Sequence, residues 1–137
     1  MKILVSILVL AILSITSTLT AQDKTITVTI SNINSDEGKV GFALYNKDNF
    51  MRTPIESKEG VIKNGKTTII FGNVKPGSYA VTCYHDKNSN GKMDFSANRM
   101  PLEDYGASNN VIAFAPPTFE GAKFTVIDKN VSLEIKF

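Results

Sequence analysis

The chain has 137 residues, a formal net charge of +2, 42% hydrophobic residues and a single cysteine. This length suits one domain with its own core, and the near-neutral charge offers no basic stripe for nucleic acid. One cysteine excludes an intramolecular disulfide bond.

The first residues have the pattern of a secretory signal peptide. Lys2 precedes an apolar run over residues 3–15, and small and polar residues follow as far as Ala21. The run is shorter than the roughly 20 residues that a membrane span needs. We therefore predict a signal peptide at 1–21, a domain at 22–137, no membrane span after cleavage, and a periplasmic or extracellular location. Cleavage leaves 14 basic and 13 acidic residues.

Apolar and polar residues alternate through most of the remaining chain, which is the pattern of half-buried strands. One helical turn is expected within 51–59 and another within 118–123. Short strands separated by turns and without crossover helices favour a single antiparallel, immunoglobulin-like β-sandwich of about seven strands. The strands are predicted at 25–30, 40–44, 67–71, 79–84, 111–114, 124–127 and 131–137.

A calcium-like loop is predicted at 86–94. Oxygen-bearing side chains stand at every second position, Gly91 follows, and a carboxylate closes the run. These are the first, third, fifth, sixth and ninth positions of a loop that wraps a hard cation, although the twelfth position is Ala97 and cannot supply the usual glutamate. The predicted ligands are the side chains of Asp86, Asn88, Asn90 and Asp94 and the carbonyl of Lys92.

Two further interpretations of this loop remain open. Glu103 or Asp104 could fold back to complete the shell, with an affinity for Ca²⁺ near ~10⁻⁴ to 10⁻³ M. Alternatively, Asp, Asn, Ser and Gly form a metal-free turn, because these residues tolerate left-handed backbone and cap their own turns.

Three other residues lie near this loop or in the strand before it. His85 is the sole histidine and is expected to be a hydrogen-bonded residue at a strand end. Cys83 is expected to be a buried, inert thiol. Tyr79, after a Pro-Gly turn, is expected to tie that turn to backbone through its hydroxyl.

An enzyme remains the alternative function. A small hydrolase would depend on His85, because no other histidine could act as the base. The nominal partners of His85 are Ser108 with Asp86 or Asp104, and a carboxylate pair is available in Asp94 and Glu103.

Several segments resemble known families. Residues 71–81 resemble the Pro-Gly-Tyr signature of transthyretin-like and collagen-adhesin B-type repeats. Three blocks, at 77–94, 100–110 and 115–124, are similar in order and spacing to the bacterial domain-of-unknown-function family 2141. The resemblance implies an exported β-sandwich and implies no activity. We expect a binding or interaction module whose partner is an extracytoplasmic protein or glycan.

Overall fold

The structure, a computed structural model, describes residues 22–111 and 115–137. The predicted signal peptide at 1–21 lies outside the described residues. So does most of the strand predicted at 111–114, since only Val111 of that segment is described and it has no regular secondary structure.

Eight strands, one 3-10 helix and one short α-helix occur in the described residues. In chain order these elements are β1 Lys24–Ile30, β2 Lys39–Tyr45, β3 Glu56–Gly60, β4 Thr67–Val74, β5 Gly77–Asp86, β6 Tyr105–Ala107, the 3-10 helix Ser108–Asn110, α1 Phe119–Ala122, β7 Phe124–Val126 and β8 Val131–Glu134.

The strands form two sheets that enclose one core. A three-stranded sheet has the order β4-β1-β8, and a five-stranded sheet has the order β3-β2-β5-β6, with β7 also paired to β5. The alternating strands direct one apolar face of each sheet inward. The largest fully buried apolar side chains are those of Phe42, Phe71, Ile26, Ile30, Ile135, Val28, Val40, Val81 and Val126.

The predicted all-β, sandwich-like fold is confirmed, with two corrections. The pairing is not wholly antiparallel, because β8 runs parallel to β1. The helical turn expected within 51–59 is wrong, since the second half of that segment is β3, an edge strand paired with β2. Lys58 of β3 places its ammonium 5.9 Å from the centre of the Phe71 ring. An edge strand that packs through such a side chain lacks the apolar alternation on which the sequence interpretation relied.

The other expected turn is confirmed. α1 lies within 118–123, and the side chain of Thr118 caps it by accepting a hydrogen bond from the Gly121 N–H at 3.1 Å. The helix is only four residues long, so this cap and the tertiary packing stabilise it more than helix propensity does.

The edge of β5 that faces away from β2 changes its partner strand along its length. Residues 77–79 pair with β7, and residues 82–84 pair with β6. The buried Ser108 hydroxyl lies at the junction, where it accepts a hydrogen bond from the Val81 N–H at 3.0 Å and donates to the Ala122 carbonyl. The side chain thus replaces a ladder hydrogen bond at the point where neither strand pairs with β5.

None of the helices in the two described ranges is both long enough and apolar enough to cross a membrane.

Candidate functional site

The predicted site lies where β2 begins and β5 ends. Lys39 and Asp86 are paired across these two strands. Gly38 precedes β2 with a φ of +72°, and a Cβ at this position would lie 2.1 Å from the Asp86 carbonyl oxygen. Only glycine accommodates both the left-handed backbone and this close approach. The start of β2 and the loop after β5 are therefore held together closely.

Asp86 anchors the loop. Its side chain is fully buried. Its Oδ1 accepts a hydrogen bond from the Asn90 N–H at 2.9 Å, and its Oδ2 accepts one from the Gly91 N–H at 2.8 Å. Gly91 has a φ of +79°, as the predicted sharp turn requires. Hydrogen bonds to an ionised carboxylate are stronger than neutral ones, so the carboxylate fixes the centre of the loop.

Two more of the predicted ligand residues bond to a third, Asp94. Asn88 donates from Nδ2 to the Asp94 carboxylate at 2.7 Å. Asn90 donates from Nδ2 to both Asp94 oxygens, at 3.0 and 2.9 Å. These amide donors, Asn90 first, lower the pKa of the Asp94 carboxyl below its ordinary value of 3.8. The alternate spacing of these residues therefore brings their side chains together.

The remaining predicted residues are near the same loop. The Lys92 N–H donates to Asn90 Oδ1 at 3.0 Å. Glu103, one of the two residues that could fold back, has its two carboxylate oxygens on the loop, where they accept hydrogen bonds from the Lys87 and Asp94 N–H groups, each at 3.1 Å. Asp104 contributes its carbonyl, which accepts from the His85 N–H at 2.8 Å. Among the described residues, no three His, Cys, Asp or Glu side chains are grouped so that they could hold a metal ion.

A short hairpin continues from the loop. The Asp94 carbonyl accepts from the Leu102 N–H at 2.9 Å, and Phe95 and Pro101 form a bridge. Phe95, Met100 and Leu102 are 57%, 61% and 66% exposed. Asp94 is therefore the joint between the 86–94 loop and an apolar hairpin at 94–102.

This hairpin lines a groove on the outer side of the five-stranded sheet. The groove has a volume of about 500 Å³, and Arg99 is the one charged residue among the described residues that line it. No carboxylate forms an ion pair with Arg99 within residues 22–111 and 115–137. The apolar and aromatic residues that line the groove include Met51, Met93, Met100, Phe95, Tyr84 and Tyr105. Reasoning from the sequence missed the groove.

The two candidate catalytic residues His85 and Ser108 make hydrogen bonds to different partners. His85 is buried, and its Nε2–H donates to the Glu37 carbonyl at 2.7 Å. Its ring is parallel to that of Phe137, with centroids 6.4 Å apart. Ser108 bonds Val81 and Ala122 instead. His85 is thus a hydrogen-bonded residue at a strand end, as expected, and the two side chains do not bond each other.

The two other side chains also lie as expected. Cys83 is 3% exposed, and burial raises the pKa of its thiol. The Tyr79 hydroxyl donates to the Lys75 carbonyl at 2.8 Å, which ties the Pro-Gly turn to backbone. Tyr84 at the groove has a raised pKa because of burial and then the nearby Asp86 carboxylate.

These features define a small all-β, sandwich-like domain with one elaborate polar loop and an adjoining apolar groove. The family described as "Uncharacterized protein conserved in bacteria (DUF2141)" matches residues 28–134, and the chain belongs to it. Comparisons with curated proteins and with solved structures returned no match.

Proposed function

We propose that this protein is an exported binding module in which Ca²⁺ orders the 86–94 loop and the groove beside it binds a partner. The observation that supports the proposal most directly is the double role of Asp94. Its side chain closes the loop through Asn88 and Asn90, and its backbone begins the hairpin that lines the groove. Order in the loop is thereby coupled to the shape of the groove.

The loop has the donor chemistry that calcium prefers. The Asp94 carboxylate faces two side-chain amides at hydrogen-bonding distance. A half-turn of either amide presents an oxygen in place of the nitrogen. Carboxylate and amide oxygens would then lie close together, and the Lys92 carbonyl and Asp86 are the remaining ligands of the proposed set.

The groove suits an apolar protein segment that carries a carboxylate. Methionine side chains adapt to different partners, and aromatic residues supply large contact areas. The charged side chain of Arg99, which lines the groove, complements an acidic group on the partner. A glycan needs more polar groups than this lining supplies, so we assign an extracytoplasmic protein as the partner.

Calcium binding is tested by thermal unfolding in chelator and then across a calcium series. A ligand with a Kd near ~10⁻⁴ M stabilises the folded state by roughly 2–3 kcal/mol at ~10 mM. Asp94→Ala should abolish the rise in Tm. Asp128→Ala, a matched control that removes an exposed carboxylate elsewhere, should retain it. A wild-type Tm that no concentration of calcium raises would make the loop a metal-free turn.

The groove is tested with anilinonaphthalene sulfonate, a dye that combines apolar rings with an anionic group. Met100→Ser and Arg99→Gln should weaken dye binding, whereas Val61→Ser, at an exposed apolar residue outside the lining, should not. Calcium should tighten binding in the wild type alone and not in Asp94→Ala. Equal dye binding by wild type and Met100→Ser would refute the groove assignment, and displacement of the dye by an oligosaccharide would point to a glycan partner.

Export is tested by expression of the full chain in a bacterial host and fractionation of the cells. A periplasmic or secreted product that begins at residue 22 is expected from the apolar run at 3–15 and the small residues before Gln22. Product that retains residues 1–21 in the cytoplasm would contradict this part of the proposal.

A further inference from the structure

Two Asn-Gly dipeptides occur in the sequence, Asn64–Gly65 and Asn90–Gly91. In such a pair the glycine nitrogen can attack the preceding side-chain carbonyl carbon, because glycine has no side chain to hinder the ring closure. A C–N bond forms, the bond to Nδ2 breaks, and ammonia leaves. Water then opens the succinimide ring to aspartate or isoaspartate.

Both glycine N–H groups are bonded to an aspartate carboxylate. The Gly91 N–H donates to Asp86 Oδ2 at 2.8 Å, and the Gly65 N–H donates to Asp36 Oδ1 at 2.7 Å. The attack needs this nitrogen deprotonated, and an adjacent negative charge disfavours formation of an amide anion. Each carboxylate therefore opposes the first step of the reaction.

The two asparagine side chains are restrained to different degrees. Asn90 donates from Nδ2 to both Asp94 oxygens, and its Oδ1 accepts from the Lys92 N–H. Asp86, whose carboxylate bonds the Gly91 N–H, is fully buried. Within the described residues the Asn64 side chain makes no hydrogen bond. Asp36, whose carboxylate bonds the Gly65 N–H, is exposed. The side-chain carbon of Asn90 is thus less free to reach a near-attack position.

We propose that Asn90 is a latent deamidation site that Asp86 and Asp94 silence in the folded loop. Opening of the loop releases both restraints at once and exposes Asn90 to the reaction. Conversion to aspartate adds a third carboxylate beside Asp86 and Asp94, whereas conversion to isoaspartate lengthens the backbone of the loop. The inference rests on the hydrogen bonds of the protein alone and does not require calcium.

The test is peptide mapping by mass spectrometry after incubation of the protein at neutral pH in excess chelator. Asp86→Ala should raise the deamidation rate of Asn90 by about tenfold or more, the factor expected when a charge-assisted hydrogen bond is removed from the starting state. The rate at Asn64 should not change. Asp36→Ala is the crossed control, since it should raise the rate at Asn64 and leave Asn90 unchanged. An unchanged rate at Asn90 in a folded Asp86→Ala protein would overturn the proposal.

A comparison without variants covers the case in which Asp86→Ala does not fold. In the native wild type, Asn90 should deamidate several times more slowly than Asn64. The reason is that the Asp86 carboxylate beside Gly91 is buried and the Asn90 side-chain amide is hydrogen-bonded to Asp94. In protein unfolded by urea, the two rates should be nearly equal, because both sites then have the sequence Asn-Gly-Lys. The same ratio of rates in native and unfolded protein would refute the silencing by the loop.

Discussion

Ser108→Ala tests the junction along β5 where its pairing with β7 ends and its pairing with β6 begins. The substitution removes one hydroxyl from a side chain that is 1% exposed. It leaves the Val81 N–H and the Ala122 carbonyl, both bonded to this hydroxyl, without their partner. A buried polar group that loses its hydrogen bond costs about 1–3 kcal/mol.

The expected loss of stability follows from these two groups. Together they predict a decrease of about 3 kcal/mol in the free energy of unfolding, and each 1 kcal/mol shifts the Tm of a domain of this size by roughly 4 °C. Tm should therefore fall by about 12 °C. Alanine is smaller than serine and introduces no clash, so little else changes at the site.

Urea unfolding followed by far-ultraviolet circular dichroism measures the effect. The midpoint should fall with an unchanged m-value, because the surface exposed on unfolding stays the same. Ser78→Ala, at an exposed serine of β5, is the matched control and should stay within about 0.5 kcal/mol of wild type. If Ser108→Ala matched Ser78→Ala, the hydroxyl would not stabilise the junction and the reasoning would fail.

Three more predictions concern the loop and the core. Gly38→Ala should lower stability by more than about 2 kcal/mol through backbone strain and a clash, whereas Gly72→Ala, with open space at its Cβ, should be neutral or stabilising in urea unfolding. The lowered pKa of Asp94, caused chiefly by Asn90, contributes stability above pH 3.8 that is lost as the pH falls through the lowered value. The Tm difference between wild type and Asp94→Asn in chelator should therefore shrink in acid, and a constant difference would contradict this. The Cys83 thiol should resist a thiol reagent until urea unfolds the protein, because burial raises the pKa of the thiol. Equal rates of thiol modification in native and unfolded protein would disprove this protection.

Most strands could be predicted because side-chain alternation is a local property of extended backbone. β1 and β2 bury every second residue, and their sequences show this directly. β3 could not be recognised, since its residues Glu56–Gly60 include no large apolar side chain. β6 has only three residues, too few for a periodic signal, and its pairing with β5 depends on the chain that surrounds it.

Part of the candidate site could likewise be predicted from the sequence, and part of it could not. The alternate spacing of Asn88, Asn90 and Asp94 predicted their convergence, because one short loop carries all three. The return of Glu103 was one of two predicted options, and the structure has its carboxylate on the loop. The groove was not predictable, since it forms only where the 94–102 hairpin, β5 and β6 meet Met51 and residues 115–117, which are more distant in the chain.

The sequence by itself determined the all-β class, the positions of the long strands and the composition of the polar loop, since each depends on residues close together in the chain. Only the tertiary structure decided that β8 runs parallel to β1, that Ser108 bridges the gap between β7 and β6, and that Asp86 is buried. These features depend on contacts between distant segments. The chain selects among such contacts by the total apolar surface that it buries and by the polar groups that it satisfies.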